Sequence, residues 1–338
     1  MIEPPDVTFV IAAYNSAETI GRAIESALAQ RDVVTEVVVV DDASSDATRD
    51  IVGQIADPRV RLITLAQNRG PGGARNAGLE AARGRWIAIL DSDDTVEPDR
   101  LARLISRAEK ARAQIAVDNL DVIAADGSRQ RMFSEAELAR QNQLTLPAFI
   151  ASNVLFRTEH NFGYMKPVFA RSFLADHGLR FDETLKIGED YILLASALAR
   201  GGRCVVEPTA GYAYHLREGS ISRVLKPHHV EAMILSDQRF VIDHRLDRAA
   251  KAAQQRRSQS LYEARSFLAL VEHLKRGAFL RALGEAIGNP AAIRHLRMPI
   301  AARLRRLLGR SAPSSIRSAA KPAGGRSIPG KSPYSSKG

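Results

Sequence analysis

Between positions 7 and 117 the chain alternates short β-branched runs with stretches whose apolar residues recur every three or four positions. Residues 7–12, 37–40, 60–65, 86–90 and 114–117 read as strands. Ile20, Ala23, Ile24, Ala27 and Leu28 mark one face of the first intervening helix, with Ser16 as its expected N-cap. Near-continuous apolar strands separated by helices predict an α/β architecture, a mostly parallel sheet with helices on both faces. Ligands of such sheets bind beyond the carboxyl ends of the strands.

After Val117 the alternation stops. Residues 120–125 followed by Asp126-Gly127 predict a strand and a tight turn, and 133–149 read as a polar, partly helical insertion. Helical patterns return at 190–200 and run, mixed, over 227–286, and Pro290 and Pro299 interrupt the chain beyond them. Residues 311–338, rich in Ser, Pro, Gly, Ala and Lys, are expected to be disordered. The expected organisation is a domain over 1–225 with halves 1–118 and 119–225, a helical extension over 226–310 with a basic amphipathic end, and a basic tail.

Composition changes this picture only at the C-terminal end. The chain has 338 residues, 45% hydrophobic and 25% charged, which suits a folded protein and excludes wholesale disorder. Its net charge of +10 resembles a nucleic-acid binder's until its distribution is considered. No Asp or Glu follows Glu285, so 37 of the 48 basic residues face all 38 acidic ones within positions 1–285. A near-neutral body shows no basic groove, and the C-terminal end lacks aromatics for base stacking, so no nucleic-acid partner is expected. The lone Cys204 lies in an apolar run and reads as a buried structural thiol. The first strand starts too early to leave space for a signal peptide, and no apolar run is long enough for a membrane span. A cytoplasmic protein, at most peripheral on the inner membrane, is expected.

Three acidic clusters fall where such a sheet presents its ligands: Asp41-Asp42, Asp91-Ser92-Asp93-Asp94 and Glu189-Asp190. Any one alone reads equally well as a helix cap, and Asp46 is better explained that way. Three carboxylates at one strand end repel one another, and a divalent cation is the natural compensation. Hard oxygen ligands without Cys or multi-His spacing favour Mg²⁺ or Mn²⁺ over zinc. The turn at Gly70, Gly72 and Gly73 fits neither a Walker loop nor a dinucleotide fingerprint.

Ala-Ala-Tyr14-Asn15, Val-Val-Asp41-Asp42, Asn68 to Gly78 with Arg75-Asn76, Asp91-Ser-Asp93-Asp94, Gly188-Glu189-Asp190 and Tyr214-His215-Leu-Arg217 through Ser220 and Ser222 occur in this order. The series resembles the family 2 inverting glycosyltransferases of the GT-A fold, and the full-length pattern resembles the bacterial glucosyltransferases that build succinoglycan-type exopolysaccharide. The resemblance implies a nucleotide-sugar half (1–118) and an acceptor half (119–225). It implies that Tyr14 stacks on the base and that Asp42 accepts the uracil imide N–H, with Asp41 structural. Arg75 would contact base or diphosphate, Asp91 the ribose or a metal-bound water, and Asp93 the metal, with Asp94 behind them. His215 and Arg217 would contact the diphosphate, His215 joining the metal shell, and Asp190 would be the catalytic base with Glu189 next in line. His228-His229 have no such role and read as surface residues. The processive Gln-x-x-Arg-Trp motif is absent, since Trp86 is the only Trp, which implies one sugar per acceptor.

The implied reaction moves a sugar, glucose being expected, from a UDP-sugar to a lipid-diphosphate-linked oligosaccharide. A nucleotidyltransferase acting on sugar phosphates shares the core and the acidic site, but usually carries a Gly-rich loop with a Lys after the first strand, where this chain has Ala12-Ala13-Tyr14-Asn15. A noncatalytic membrane-surface adaptor has no use for Glu189-Asp190. The interleaved apolar and Arg residues of 293–310, strongest over 300–310, predict contact with an anionic inner-membrane surface; packing on the body is the competing reading.

Overall fold

The computed structural model describes residues 5–156, 161–217 and 225–293. The expected basic segment beyond residue 293, the tail 311–338, and Ser220 and Ser222 lie outside the described residues. In chain order the elements are β1 (Val7–Ala13), α1 (Ile20–Leu28), β2 (Thr35–Asp41), α2 (Thr48–Gly53), β3 (Val60–Thr64), α3 (Gly70–Ala81), β4 (Trp86–Ile89), β5 (Thr95–Val96), α4 (Arg100–Lys110), β6 (Ile115–Ile123) and β7 (Arg129–Arg131). Next come α5 (Glu135–Gln141), α6 (Leu146–Ser152), β8 (Val168–Ala170), α7 (Arg171–Asp176), α8 (Glu189–Ala199), β9 (Cys204–His215), α9 (Pro227–Asp243), α10 (Arg248–Lys275), α11 (Phe279–Gly288) and α12 (Pro290–Ile293).

One sheet runs in the order β3-β2-β1-β4-β8-β6-β9-β5, with β7 beside β6. Four of the expected strands form its first half, where β3, β2, β1 and β4 are parallel. Alternate residues of β2 serve opposite faces, as a strand buried on both sides requires. Val37 and Val39 join Ile20, Ala23, Ile24 and Ala27 of α1, whereas Val38 and Val40 join Ala74 of α3.

The second half departs from the expectation of a mostly parallel sheet. The three-residue β8 enters antiparallel between β4 and β6, so the sheet is mixed beyond β4. A buried Val-Phe-Ala triplet is too short for periodicity to reveal. The expected strands 114–117 and 120–125 are one strand, β6, whose register against β9 shifts around Asn119. The tight turn at Asp126-Gly127 forms as expected.

Two local expectations are corrected. The Ser16 side chain does not cap α1: its carbonyl accepts from the Thr19 and Ile20 N–H groups, and its hydroxyl pairs with that of Ser92 at 2.8 Å. His229 is buried, its Nδ1 accepting the Lys226 N–H at the start of α9. Cys204 is buried, and burial raises its thiol pKa, which suits a structural role.

The helical extension packs onto the sheet domain. Leu185, Val230, Met233, Ile234, Leu261 and Ala264 form a core of their own. Beside it Arg257 of α10 donates to Asp237 of α9 (2.9 Å) and to the Asn153 carbonyl (2.8 Å), with its guanidinium 3.6 Å from the centroid of the Tyr191 ring of α8. Among the described residues no helix is long and apolar enough to cross a membrane.

Gly78 lets α3 lie against β1, because a Cβ there would overlap Val10. Gly78→Ala is therefore expected to cost about 1–3 kcal/mol through overpacking. Urea denaturation checks this, and an unchanged midpoint would contradict the close approach.

Candidate active site

The carboxyl ends of β1, β2 and β4 are stitched together by short polar contacts. Asn15 accepts from the Ser45 N–H at 2.9 Å and donates its own N–H to the Ser44 hydroxyl at 3.0 Å. Asp46 holds the turn before α2, accepting from the Thr48 and Ala17 N–H groups at 3.0 Å. The Tyr14 ring stands half-exposed at this edge, open for stacking.

Asp41 and Asp42 are both buried. Asp42 accepts the Arg69 N–H at 2.7 Å and the Gly70 N–H at 2.9 Å, so its carboxylate ties the end of β2 to the entry of α3. Burial raises its pKa despite those two bonds. In Asp41, Oδ2 lies 3.4 Å from Arg49, while Oδ1 is buried without a partner. The pair thus gives the structural hydrogen bonds to Asp42 and leaves the unsatisfied oxygen on Asp41.

The centre is a cluster of five charges from four parts of the chain. Arg75, in the second turn of α3, donates to Asp91 Oδ1 (2.7 Å) and Glu189 Oε1 (2.5 Å) and lies 3.1 Å from Asp190 Oδ1. Lys166 Nζ reaches Asp91 Oδ2 and Asp190 Oδ2, each at 2.7 Å. Gly188, with φ of 93°, turns the chain so that Glu189 and Asp190 open α8. That conformation favours glycine, and the positive end of the helix dipole favours the two acids.

Lys166 is the residue that sequence reasoning missed. The β4–β8 register pairs Ala88 with Val168; continued by two residues it sets Lys166 opposite Leu90, beside Asp91. Only the antiparallel β8 delivers it there, and a lone Lys before Pro167 gives no signal. Its backbone is fixed as well, because the fully buried Arg100 donates to the Lys166 carbonyl at 2.6 Å while gripping Asp118 with two bonds of 2.9 Å.

Burial opposes ionisation throughout this cluster, and the opposite charges decide the outcome. For Asp91, Lys166 and Arg75 outweigh burial and hold the carboxyl far below its usual range. For Lys166, Asp190 and Asp91 outweigh burial and keep the ammonium charged. Glu189 goes the other way: burial, then the neighbouring Asp190, push its carboxyl up. Three carboxylates facing two cations leave one negative charge in excess.

Asp93 and Asp94 divide differently. Asp94 is buried, accepting from the Tyr212 hydroxyl (2.7 Å) and the His215 N–H (2.8 Å), and so pins the end of β9 to the turn after β4. Burial, then Asp91 and Asp93, raise its pKa well above its ordinary value. Asp93 makes no ion pair among the described residues, and burial, then Asp91, raise its pKa. The His215 ring is within 3.1 Å of the Thr95 hydroxyl, and burial, then Arg22 and Arg129, lower its pKa. Arg217 reaches back to Glu18 at 2.6 Å, against the turn after β1.

These donors fit a divalent cation. A carboxylate that makes no ion pair among the described residues suits a hard ion that also uses substrate oxygens. No three His, Cys, Asp or Glu side chains form a ready cage among the described residues. Both Asp91 oxygens are already engaged by Arg75 and Lys166, so Asp93 is the better placed of the expected pair.

Comparison with known proteins extends this geometry. Residues 8–173 match the family described as Glycosyl transferase family 2, a stretch that includes Tyr14, Asp42, Arg75, Asp91, Asp93 and Lys166 but stops short of Asp190 and His215. The chain is 67% identical over 319 residues to the succinoglycan biosynthesis protein ExoO of Rhizobium meliloti (strain 1021), covering 94% of this chain and 92% of that one. It is 34% identical over 297 residues to ExoU of the same organism, also named a succinoglycan biosynthesis protein, covering 86% and 85%. Among solved structures, S. aureus TarS residues 1–349 in complex with UDP-GlcNAc superposes with a TM-score of 0.60 at 24% identity, covering 76% of this chain and 71% of that one, a likeness of fold.

Lys166→Met leaves Asp91 and Asp190 sharing Arg75 alone. It is expected to destabilise the protein by about 3 kcal/mol at neutral pH, the low end for breaking a buried ion pair because both acids keep some solvent contact. The depressed Asp91 pKa fixes the sign with pH: its contribution is present above the usual carboxylate range and fades as pH falls below ~4. Urea midpoints of both proteins at pH 7 and pH 3 should therefore differ widely at the first pH and by less at the second, where loss of the Asp91 contribution has begun.

Proposed function

The chain belongs to glycosyl transferase family 2, and from that premise we propose that it is a nonprocessive, inverting, metal-dependent enzyme of succinoglycan-type exopolysaccharide biosynthesis. In this reading it moves one sugar, glucose, from a UDP-sugar to a lipid-diphosphate-linked oligosaccharide at the cytoplasmic face of the inner membrane. The observation that carries the chemistry is the cluster in which Asp190 is held by Arg75 and Lys166 at the mouth of the sheet. The names of the relatives that match nearly the whole chain support the biosynthetic assignment.

Inversion needs the acceptor oxygen to attack the anomeric carbon from the face opposite the nucleotide. The bond from that carbon to the β-phosphate oxygen breaks with its electron pair left on UDP, while the acceptor proton passes to Asp190. A carboxylate has about four lone-pair sites, so the bonds from Arg75 and Lys166 leave room for the acceptor hydroxyl. They fix the carboxylate in place, which is most of what a general base requires besides its basicity. Tyr14 offers its face to the base, and Asp42, which already accepts from the Arg69 and Gly70 N–H groups, would accept the uracil imide N–H. Asp93, with His215, would hold Mg²⁺ or Mn²⁺, which when bound supplies Lewis-acid neutralisation of the leaving diphosphate.

Asp190→Asn is expected to keep UDP affinity and to cut turnover by ~10²-fold to 10⁴-fold, the usual weight of general-base catalysis. A loss below about tenfold on a verified acceptor would move the base to Glu189. For the metal, calorimetry of UDP binding with Mn²⁺ and with EDTA should show affinity lost on chelation and in Asp93→Ala. Equal affinity in EDTA would end the metal assignment. UDP release from UDP-glucose separates the transferase from a nucleotidyltransferase or an adaptor.

A further inference from the structure

The helix α11 exposes what a helix of a soluble protein would bury. Phe279 is 69% exposed, Leu280 86%, Leu283 56% and Ile287 70%. With roughly 100° between successive residues, these four side chains fall within an arc of about 100°. Ala282, 4% exposed, and Glu285, beside Arg265 and Ser266 of α10, lie on the other side. The apolar stripe therefore faces away from α10. An amphipathic helix normally turns such a stripe to the core, and none of the described residues covers this one.

The surrounding charge identifies the occupant. Lys275 and Arg276 precede the helix, Arg281 lies on its polar side, and positions 286–338 hold 11 Lys and Arg with no Asp or Glu. An apolar stripe framed by cations has the composition of a helix lying in a membrane interface. A second copy of the chain would bring the same cationic flanks together, and the C-terminal residues are themselves cationic, so both are electrostatically poor covers. Anionic headgroups are the complementary partner.

We propose that α11 is a membrane-docking helix whose Phe279, Leu280, Leu283 and Ile287 enter the headgroup boundary of an anionic bilayer. This rests on the reading of a lipid-linked acceptor and sharpens it, placing the contact at 279–288, upstream of the segment 300–310 that the sequence pattern emphasised. It requires no membrane span and leaves the charged cluster at the sheet mouth untouched.

The test uses the full chain and its Leu280→Ser/Leu283→Ser variant, both sites being exposed. Each is cosedimented with phosphatidylcholine vesicles, alone or containing phosphatidylglycerol, while UDP release from UDP-glucose and thermal unfolding monitor the active site and the fold. The wild type is expected to bind the anionic vesicles, and the variant to bind them at least ~tenfold more weakly with UDP release and unfolding unchanged. Variant binding equal to wild type overturns the proposal, as does equal wild-type binding to both vesicle types. If the wild type binds neither vesicle, docking fails while UDP release still decides the transferase reading. Dimerisation of the wild type that the variant loses, without vesicle binding, would make the stripe an interface between copies and also overturn it.

Discussion

The structure depends on one electrostatic constraint: Arg75, Lys166, Asp91, Glu189 and Asp190 are held together where water is scarce. Buried charges persist only when paired, since desolvating each ion costs several kcal/mol that only close opposite charge returns. Removing either cation leaves its acidic partners exposed to that cost. The five come from α3, the turn after β4, the approach to β8 and the start of α8, so the cluster forms only when all four have assembled.

The scaffold beneath it obeys the same rule. Arg100 and Asp118, both fully buried, neutralise each other, and the guanidinium uses a further N–H to fix the Lys166 carbonyl. Its face lies 5.3 Å from the centroid of the Tyr212 ring, whose hydroxyl donates to Asp94. A line of contacts thus runs from the core ion pair through Lys166 on one side and Tyr212 on the other to the two ends of the Asp91–Asp94 turn. Such support suits a group transfer whose charge redistribution is met by fixed dipoles and ions, with little reorganisation at the moment of reaction.

Range along the chain decides which features were legible in the sequence. The first half of the sheet was readable because β1, β2 and β4 are mainly apolar runs and the first helix carries its stripe locally. Asp91, Asp190 and Arg75 were readable as motif residues at strand ends and helix starts. Lys166 was not, because its place depends on the pairing of β4 with a three-residue strand some 80 positions further on. The structural bonds of Asp42 were equally hidden: adjacent aspartates have the same local pattern, and only the approach of Arg69 and Gly70 distinguishes them. Exposure of the α11 stripe was hidden for the converse reason, since periodicity shows that a helix has an apolar face and never what covers it.

The helical extension connects that face to the chemistry through one long element. The 28 residues of α10 span ~42 Å, with Arg257 partway along and α11 following its end. Arg257 is paired with Asp237 and stacked on Tyr191, the residue directly after Asp190. A loop-borne anchor would leave the distance between bilayer and base free to vary. Here the helix that precedes α11 is the one clamped to the first turn of α8, so a docked α11 and the Asp190 carboxylate are linked through α10 and its contact with Tyr191. For the proposed lipid-anchored acceptor, a fixed height matters more than tight adhesion, and a docked α11 supported by a buried ion pair would supply the first without demanding the second.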